Sequence, residues 1–213
     1  MQIAEGSGVV SFLRRAWRLA RWPLGIILVL YIGLVIYRIP SYNAEQRSKD
    51  VVAQIHAQKL TTNDVDGKHL PPPPDPAKVD ATVEGIDANA NGIRDDVELA
   101  IFKKYPNSAK IRAAELQYAM TEQMFLVYVF DTGTWKAVAE EDGRASACIA
   151  LTYPRSNLEI FLQTVASRRK EVETLVFNTQ ARIDAENAAY KFITSVGDAP
   201  GKSCDIDLNT LSN

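Results

Sequence analysis

The sequence predicts an all-α protein: a helical bundle of four to five helices, preceded by one transmembrane helix and a Pro-rich stalk. Three observations predict it. An uncharged apolar run lies near the N-terminus, a proline cluster follows it, and beyond the cluster apolar residues recur at helical spacing with no sustained strand alternation. The chain has 213 residues, enough for one domain plus appendages. Its 46% hydrophobic and 23% charged content is ordinary for a folded protein.

The first element is the basic N-terminus, residues 1–21, with Arg14, Arg15, Arg18 and Arg21. The uncharged run Trp22 to Tyr37 follows, and the span is expected over residues 22–38. Sixteen uncharged residues are short for a crossing, but Arg21 and Arg38 can snorkel from either end. Trp17, Trp22, Tyr31 and Tyr37 stand where interfacial aromatic belts occur. A cleaved signal peptide shares the charged start, yet no A-x-A-like site appears in Ile39 to Asn43. A buried core helix would lie beside four arginines. The positive-inside rule puts the N-terminus in the cytoplasm and the rest outside it, in the periplasm of a bacterial envelope.

Charge supports this division. Residues 1–40 hold five Arg and one Glu, against 19 Lys+Arg and 25 Asp+Glu in residues 41–213. An acidic exported part argues against nucleic acid as a partner.

Residues 39–76 read as a helical stalk and linker. Ala44, Ser48, Val51 and Ile55 form a helical stripe over residues 41–60, of the kind that packs on a neighbour or forms a dimer seam. Asp64 to Gly67 reads as a turn. Pro71 to Pro74 and Pro76 form a stiff polyproline spacer.

The body is expected over residues 77–213. Its first helix carries Val97, Ile101 and Phe102 and stops at Tyr105-Pro106. The second spans about Ser108 to Phe130. Its apolar face is so wide that it belongs at the centre of the core. Gly133 is expected to terminate it and Thr134 to cap the third, which carries Trp135 and Val138 and is open to a break at Gly143. Ser156-Asn157-Leu158-Glu159 reads as a capping box for the fourth. Asn178-Thr179 caps a fifth, ended by Gly197, Pro200 and Gly201.

The polar loop before the first body helix, Asp87 to Glu98, has oxygen-bearing side chains at its first, third, fifth, ninth and twelfth positions and Gly92 at its sixth. A hard cation such as Ca2+ takes six to eight oxygens, so a chain that holds it must turn sharply around one point. Asp87, Asn89 and Asn91 offer alternate side-chain oxygens, and Ile93 its carbonyl while burying its side chain. Asp95 acts through a water and Glu98 with both carboxylate oxygens. The plainer reading is a polar turn and a helix capped by Asp95. The run resembles the calcium loops of EF-hands, dockerin repeats and thrombospondin type 3 repeats. Its Asn-Gly-Ile-Arg-Asp-Asp-Val-Glu ending is most similar to single calcium loops of uncharacterised bacterial envelope proteins. The resemblance implies ligand roles for Asp87, Asn89, Asn91, Ile93, Asp95 and Glu98. It departs from paired EF-hands in having no second loop and no entering helix. Two neutral Asn among the leading ligands imply an affinity of roughly 10⁻⁴ to 10⁻³ M.

Cys148 and Cys204 make an even count, and in an exported body they are expected to form a disulfide tying the C-terminal tail to a helix. No G-x-S-x-G, H-E-x-x-H, P-loop or G-x-G-x-x-G occurs. His56 and His69 read as solvated linker residues. Glu140-Glu141-Asp142 and Arg168-Arg169-Lys170 read as solvated helix faces.

These features point to a non-enzymatic, membrane-anchored envelope protein with a structural calcium loop that presents its helical domain to a protein partner. An envelope hydrolase remains open and predicts a deep cavity lined by two perturbed acids. A calcium-responsive sensor or assembly factor remains open as well.

Overall fold

The computed structural model describes residues 6–197 and 201–212, and only the backbone of 6–14, 16 and 18–20. The side chains of Arg14 and Arg18, and Pro200, therefore lie outside the described residues. Among the described residues the protein is all-helical: seven α-helices, two 3₁₀ turns and no strand.

Helix α1 runs unbroken from Gly6 to Ala57. Within it, Arg21–Ala57 contains a wholly exposed stretch of mean hydropathy 2.0, long and apolar enough to cross a membrane. Trp22, Tyr31 and Tyr37 are exposed along it, and the Arg21 guanidinium lies 5.9 Å from the Trp22 ring centroid. Pro23 and Pro40 sit inside the helix without ending it. Each removes one backbone hydrogen bond. Near Pro40 the Ser41 hydroxyl donates back to the carbonyl of Arg38 at 2.9 Å. The helical stretch expected over 41–60 is thus the continuation of α1.

The chain divides into two compact units, Met1–Arg47 and Ser48–Asn213. The second contains the end of α1, then α2 (Thr62–Val65), α3 (Asp95–Lys104), α4 (Ala109–Val127), α5 (Thr132–Leu151), α6 (Leu158–Val176) and α7 (Gln180–Ala189). Ile55, Leu60 and Val65 are buried in the same core as Val97, Leu116, Met120 and Val138. The stripe of Val51 and Ile55 therefore packs on the body. Helix α4 is the centre of this unit, packed against α3, α5, α6 and α7. It is buried on nearly all sides from Ala109 to Phe125.

Several boundaries are set by caps. Ser108 accepts from the Ile111 amide to start α4, and Thr179 accepts from Arg182 to start α7. Two expectations shift. Asp131, not Thr134, is the N-cap of α5, with Thr134 completing the capping box. Asn157, not Ser156, caps α6 by accepting from the Ile160 amide at 3.1 Å. Gly133 does not end α4; it lies in the first turn of α5, where a Cβ would stand 2.9 Å from Ser48 Oγ. Gly143 does not break α5.

Two polar runs expected at the surface each send a member into the interior, Glu141 and Arg168. Glu141 is 5% exposed; it accepts from Lys59 at 2.6 Å, faces His56 Nδ1 at 2.9 Å and pairs with Arg144. Burial opposes its charge, but these partners hold its carboxyl below the usual range. Arg144 continues to Asp205 at 2.8 Å, so α1, α5 and the C-terminal tail share one ion network. Arg168 is likewise buried and bonds Glu115 and Thr152, each at 2.5 Å. His56 is thus a network member and not a free linker residue.

Candidate functional site

The Asp87–Glu98 segment folds as a tight loop against the start of α3. Its ends are joined by the Asp95 amide donating to the Ile86 carbonyl at 2.8 Å. The Asp87 carboxylate accepts from the amides of Asn91 at 3.2 Å and Gly92 at 2.8 Å, which bends the chain around it. Asn91 Oδ1 accepts from the Ile93 amide at 2.9 Å. Gly92 has φ of 84° and Ala90 has φ of 56°. Glycine adopts such angles without steric cost. At Gly92 the Gln58 side-chain nitrogen also lies close, 1.6 Å from where a Cβ would stand, so any larger residue would displace the end of Gln58.

Four of the six residues predicted from sequence come together. Glu98, 1% exposed, receives the amide nitrogens of Asn89 and Asn91 on the same oxygen, each at 3.1 Å. Through these contacts and the Asp87 turn, Asp87, Asn89, Asn91 and Glu98 form one connected set. Burial pushes the Glu98 carboxyl up to about 7; the two amides pull it back, and Asp64 and Asp95 push it further. A half-turn of the Asn89 amide exchanges its nitrogen for oxygen at the same place, whereas the Asn91 amide is oriented by its oxygen accepting from the Ile93 amide.

Asp95 is placed differently from a helix cap. Arg94 occupies the N-cap position of α3, while Asp95 Oδ1 accepts from the Ala88 amide at 2.9 Å. Burial raises the Asp95 carboxyl, partly offset by that amide. Its Oδ2 is buried without a donor. The Ile93 side chain is fully buried. Among the described residues no three His, Cys, Asp or Glu gather to hold a metal by themselves. The loop combines carboxylates with asparagine amides, the mixed donor set that calcium accepts.

Two buried arginines fix the approach to the loop. The Arg94 guanidinium caps the end of α6 by donating to the carbonyls of Leu175 at 2.8 Å and Val176 at 3.0 Å. Its stem passes over Gly85, where a Cβ would stand 2.2 Å from Arg94 Cδ. Arg182 of α7 donates to the carbonyls of Val79 at 2.7 Å and Val83 at 3.0 Å. Sequence reasoning missed both, since an arginine in a helix or turn ordinarily signals surface. Beside the loop, Gln58, Asp87, Gly92, Gln123, Met124 and Tyr128 line part of a cavity of about 170 Å³.

Cys148 of α5 is bonded to Cys204 of the C-terminal tail. The tail is also held by Gln117, which donates to Ser203 O at 2.8 Å and accepts from the Asp205 amide at 2.9 Å.

Two further acids that the sequence did not single out as a pair, Glu122 of α4 and Asp142 of α5, meet inside the body. They line none of four surface cavities, beside the loop, at the C-terminal tail, along α5 and over Gln54.

Compared with protein-family models, curated proteins and solved structures, the chain matches none of them.

Proposed function

We propose that the protein is a non-enzymatic, membrane-anchored envelope protein whose Asp87–Glu98 loop holds a structural calcium ion. One observation carries the reading. A carboxylate with almost no exposed surface, Glu98, is faced by two neutral asparagine amides, and that of Asn89 can reverse to present oxygen to the same point. Asp87, Asn89, Asn91, Glu98, Asp95 and the Ile93 carbonyl are the donors. The ion would supply positive charge to a site that otherwise buries an acid against neutral groups.

Helix α1 anchors the chain in the inner membrane, with residues 1–21 cytoplasmic and residues 39–213 periplasmic. The helical domain begins at Ser48 within α1, ahead of the Pro71 to Pro76 segment, and with its calcium loop it presents its surface to an envelope protein. The disulfide supports an oxidising compartment.

The test is thermal melting of the full chain in detergent, with calcium or with chelator. A ligand that binds only the folded state stabilises by about 2.7 kcal/mol at a hundredfold excess over its Kd. The wild type should melt higher in calcium. Glu98→Ala should melt lower in calcium and show no difference on chelation. A wild-type melt unchanged by chelator sinks the proposal.

A second reading is favoured by Gln58, whose side chain lies over Gly92 of the loop and accepts from the Tyr128 hydroxyl at 3.3 Å. A cation that tightens the loop would press on the last residues before Leu60, making the protein a calcium-responsive sensor or assembly factor. Co-purification of an envelope partner that depends on calcium separates this reading from a purely structural ion.

A further inference from the structure

We propose that Glu122 and Asp142 hold one proton between them, and that this proton is a pH-operated lock on the packing of α5 against α4. The two carboxyls lie within hydrogen-bonding reach of each other. Glu122 is 5% exposed, and Asp142 Oδ1 is buried with no N–H or hydroxyl donor.

The donor count around the pair leaves few alternatives. Tyr118, one turn before Glu122, has a single hydroxyl proton, which Glu173 Oε1 at 2.9 Å and Glu122 compete for, so it serves one carboxylate at a time and none of it reaches Asp142 Oδ1. The same hydroxyl oxygen accepts from Arg169 Nε at 3.1 Å. The neighbouring groups are Tyr118 on α4, Arg169, Lys170 and Glu173 on α6, Glu186 on α7 and Tyr190 in the 3₁₀ turn after it. Lys170 lies 3.3 Å from Glu173. The Glu173 charge acts on Glu122, Asp142 and Glu186 together, while Arg169 favours the Asp142 carboxylate and Lys170 that of Glu186. Two carboxylates a hydrogen bond apart in a medium of low dielectric repel strongly, and one proton turns the repulsion into a short hydrogen bond. The same proton gives the unpaired Asp142 carboxyl a donor. Burial acts in the same direction on both acids, raising each above its ordinary value, and the Asp142 charge adds to this at Glu122.

The linkage has a definite sign. Acids whose folded values are raised bind more protons in the native state than in the unfolded chain. Stability from the pair is then fully present below the unfolded carboxylate range and is lost as pH rises toward the folded values. Each extra proton held by the native state makes the folding equilibrium about tenfold less favourable per unit of pH over that window. When the proton leaves, α5 must move away or admit water. Trp135, 5% exposed on α5, is placed to report the change.

The test uses the full chain in detergent with calcium held constant. Denaturant unfolding is followed from about pH 6 to about pH 9, alongside the infrared band of protonated carboxyl groups at about pH 8, above the Glu98 range. The wild type should lose stability with rising pH and keep a protonated-carboxyl band. Glu122→Gln mimics the protonated acid in shape, so it should flatten the pH slope by about tenfold per unit, remove the band, and equal or exceed the wild type in stability at alkaline pH. A Glu122→Gln protein with the wild-type slope, or one weakened equally at every pH, overturns the proposal. Should that variant not fold, Asp142→Asn and the wild-type band decide. Absence of the band from the wild type also overturns it.

Discussion

Arg182 concentrates several long-range contacts in one side chain. It has no exposed surface, and its guanidinium reaches Val79, Thr82 and Val83 carbonyls as well as Asp80 and Asn178. Five N–H groups in a planar fork can serve so many acceptors at once; a lysine ammonium cannot. Replacing Arg182 by Met leaves the half-buried Val79 and Val83 carbonyls without their donor and the exposed Asp80 without its partner. The expected loss is about 1 to 2 kcal/mol in denaturant unfolding, with faster amide exchange over residues 79–86. An unchanged unfolding midpoint would contradict the clamp. The partners lie about a hundred positions away in sequence, so no local pattern announces this arginine. The turn between Asp87 and Glu98 was legible because its residues lie close together: the Asp87 carboxylate that the chain bends around and the positive φ at Gly92 are encoded within six positions. Glu122 and Asp142 were not legible as a pair, since adjacent helices bring them together.

At the level of elements, side-chain caps set where helices begin. In α5 Asp131 accepts from the Thr134 amide at 2.8 Å while the Thr134 hydroxyl reaches back to the Asp131 amide at 3.2 Å. Asp131→Ala should cost about 1 kcal/mol, read as a lower denaturant midpoint with an unchanged slope. A cost near zero would mean that α5 is positioned by packing alone. Sequence placed the starts of α4 and α7 at Ser108 and Thr179, but it moved the caps of α5 and α6 by one to three residues. The reason is local competition. Asp131, Thr132 and Thr134, or Ser156 and Asn157, all carry suitable oxygens, and backbone angles choose among them. Gly133 and Gly143 misled for a related reason: glycine weakens a helix only modestly, and packing overrides that preference.

For the molecule as a whole, the compact unit begins at Ser48, and Ile55, Leu60 and Val65 belong to its core. A fragment of residues 48–213 should fold and melt cooperatively. A fragment beginning at residue 77 loses these three aliphatic side chains, whose burial contributes about 5 kcal/mol, and leaves Glu141 without Lys59 and His56. It should be aggregated or melt without cooperativity. Equal melting of the two fragments would show that residues 48–76 do not contribute to the core. The disulfide closes a separation of 56 residues between α5 and the tail, which is worth roughly 4 kcal/mol in the chain-entropy model.

Composition, periodicity and local spacing alone determined the helical class, the apolar run suited to a membrane, the central place of α4 and the tight polar turn at Gly92. Each depends on neighbours within a few turns of chain, where steric preference and hydrophobic spacing act directly. Three-dimensional packing decided which charged residues are interior, that the end of α1 joins the core, and that two distant acids share one buried place. Those outcomes depend on which helix faces meet, and burial then reverses the ordinary preference of a carboxyl or guanidinium for water.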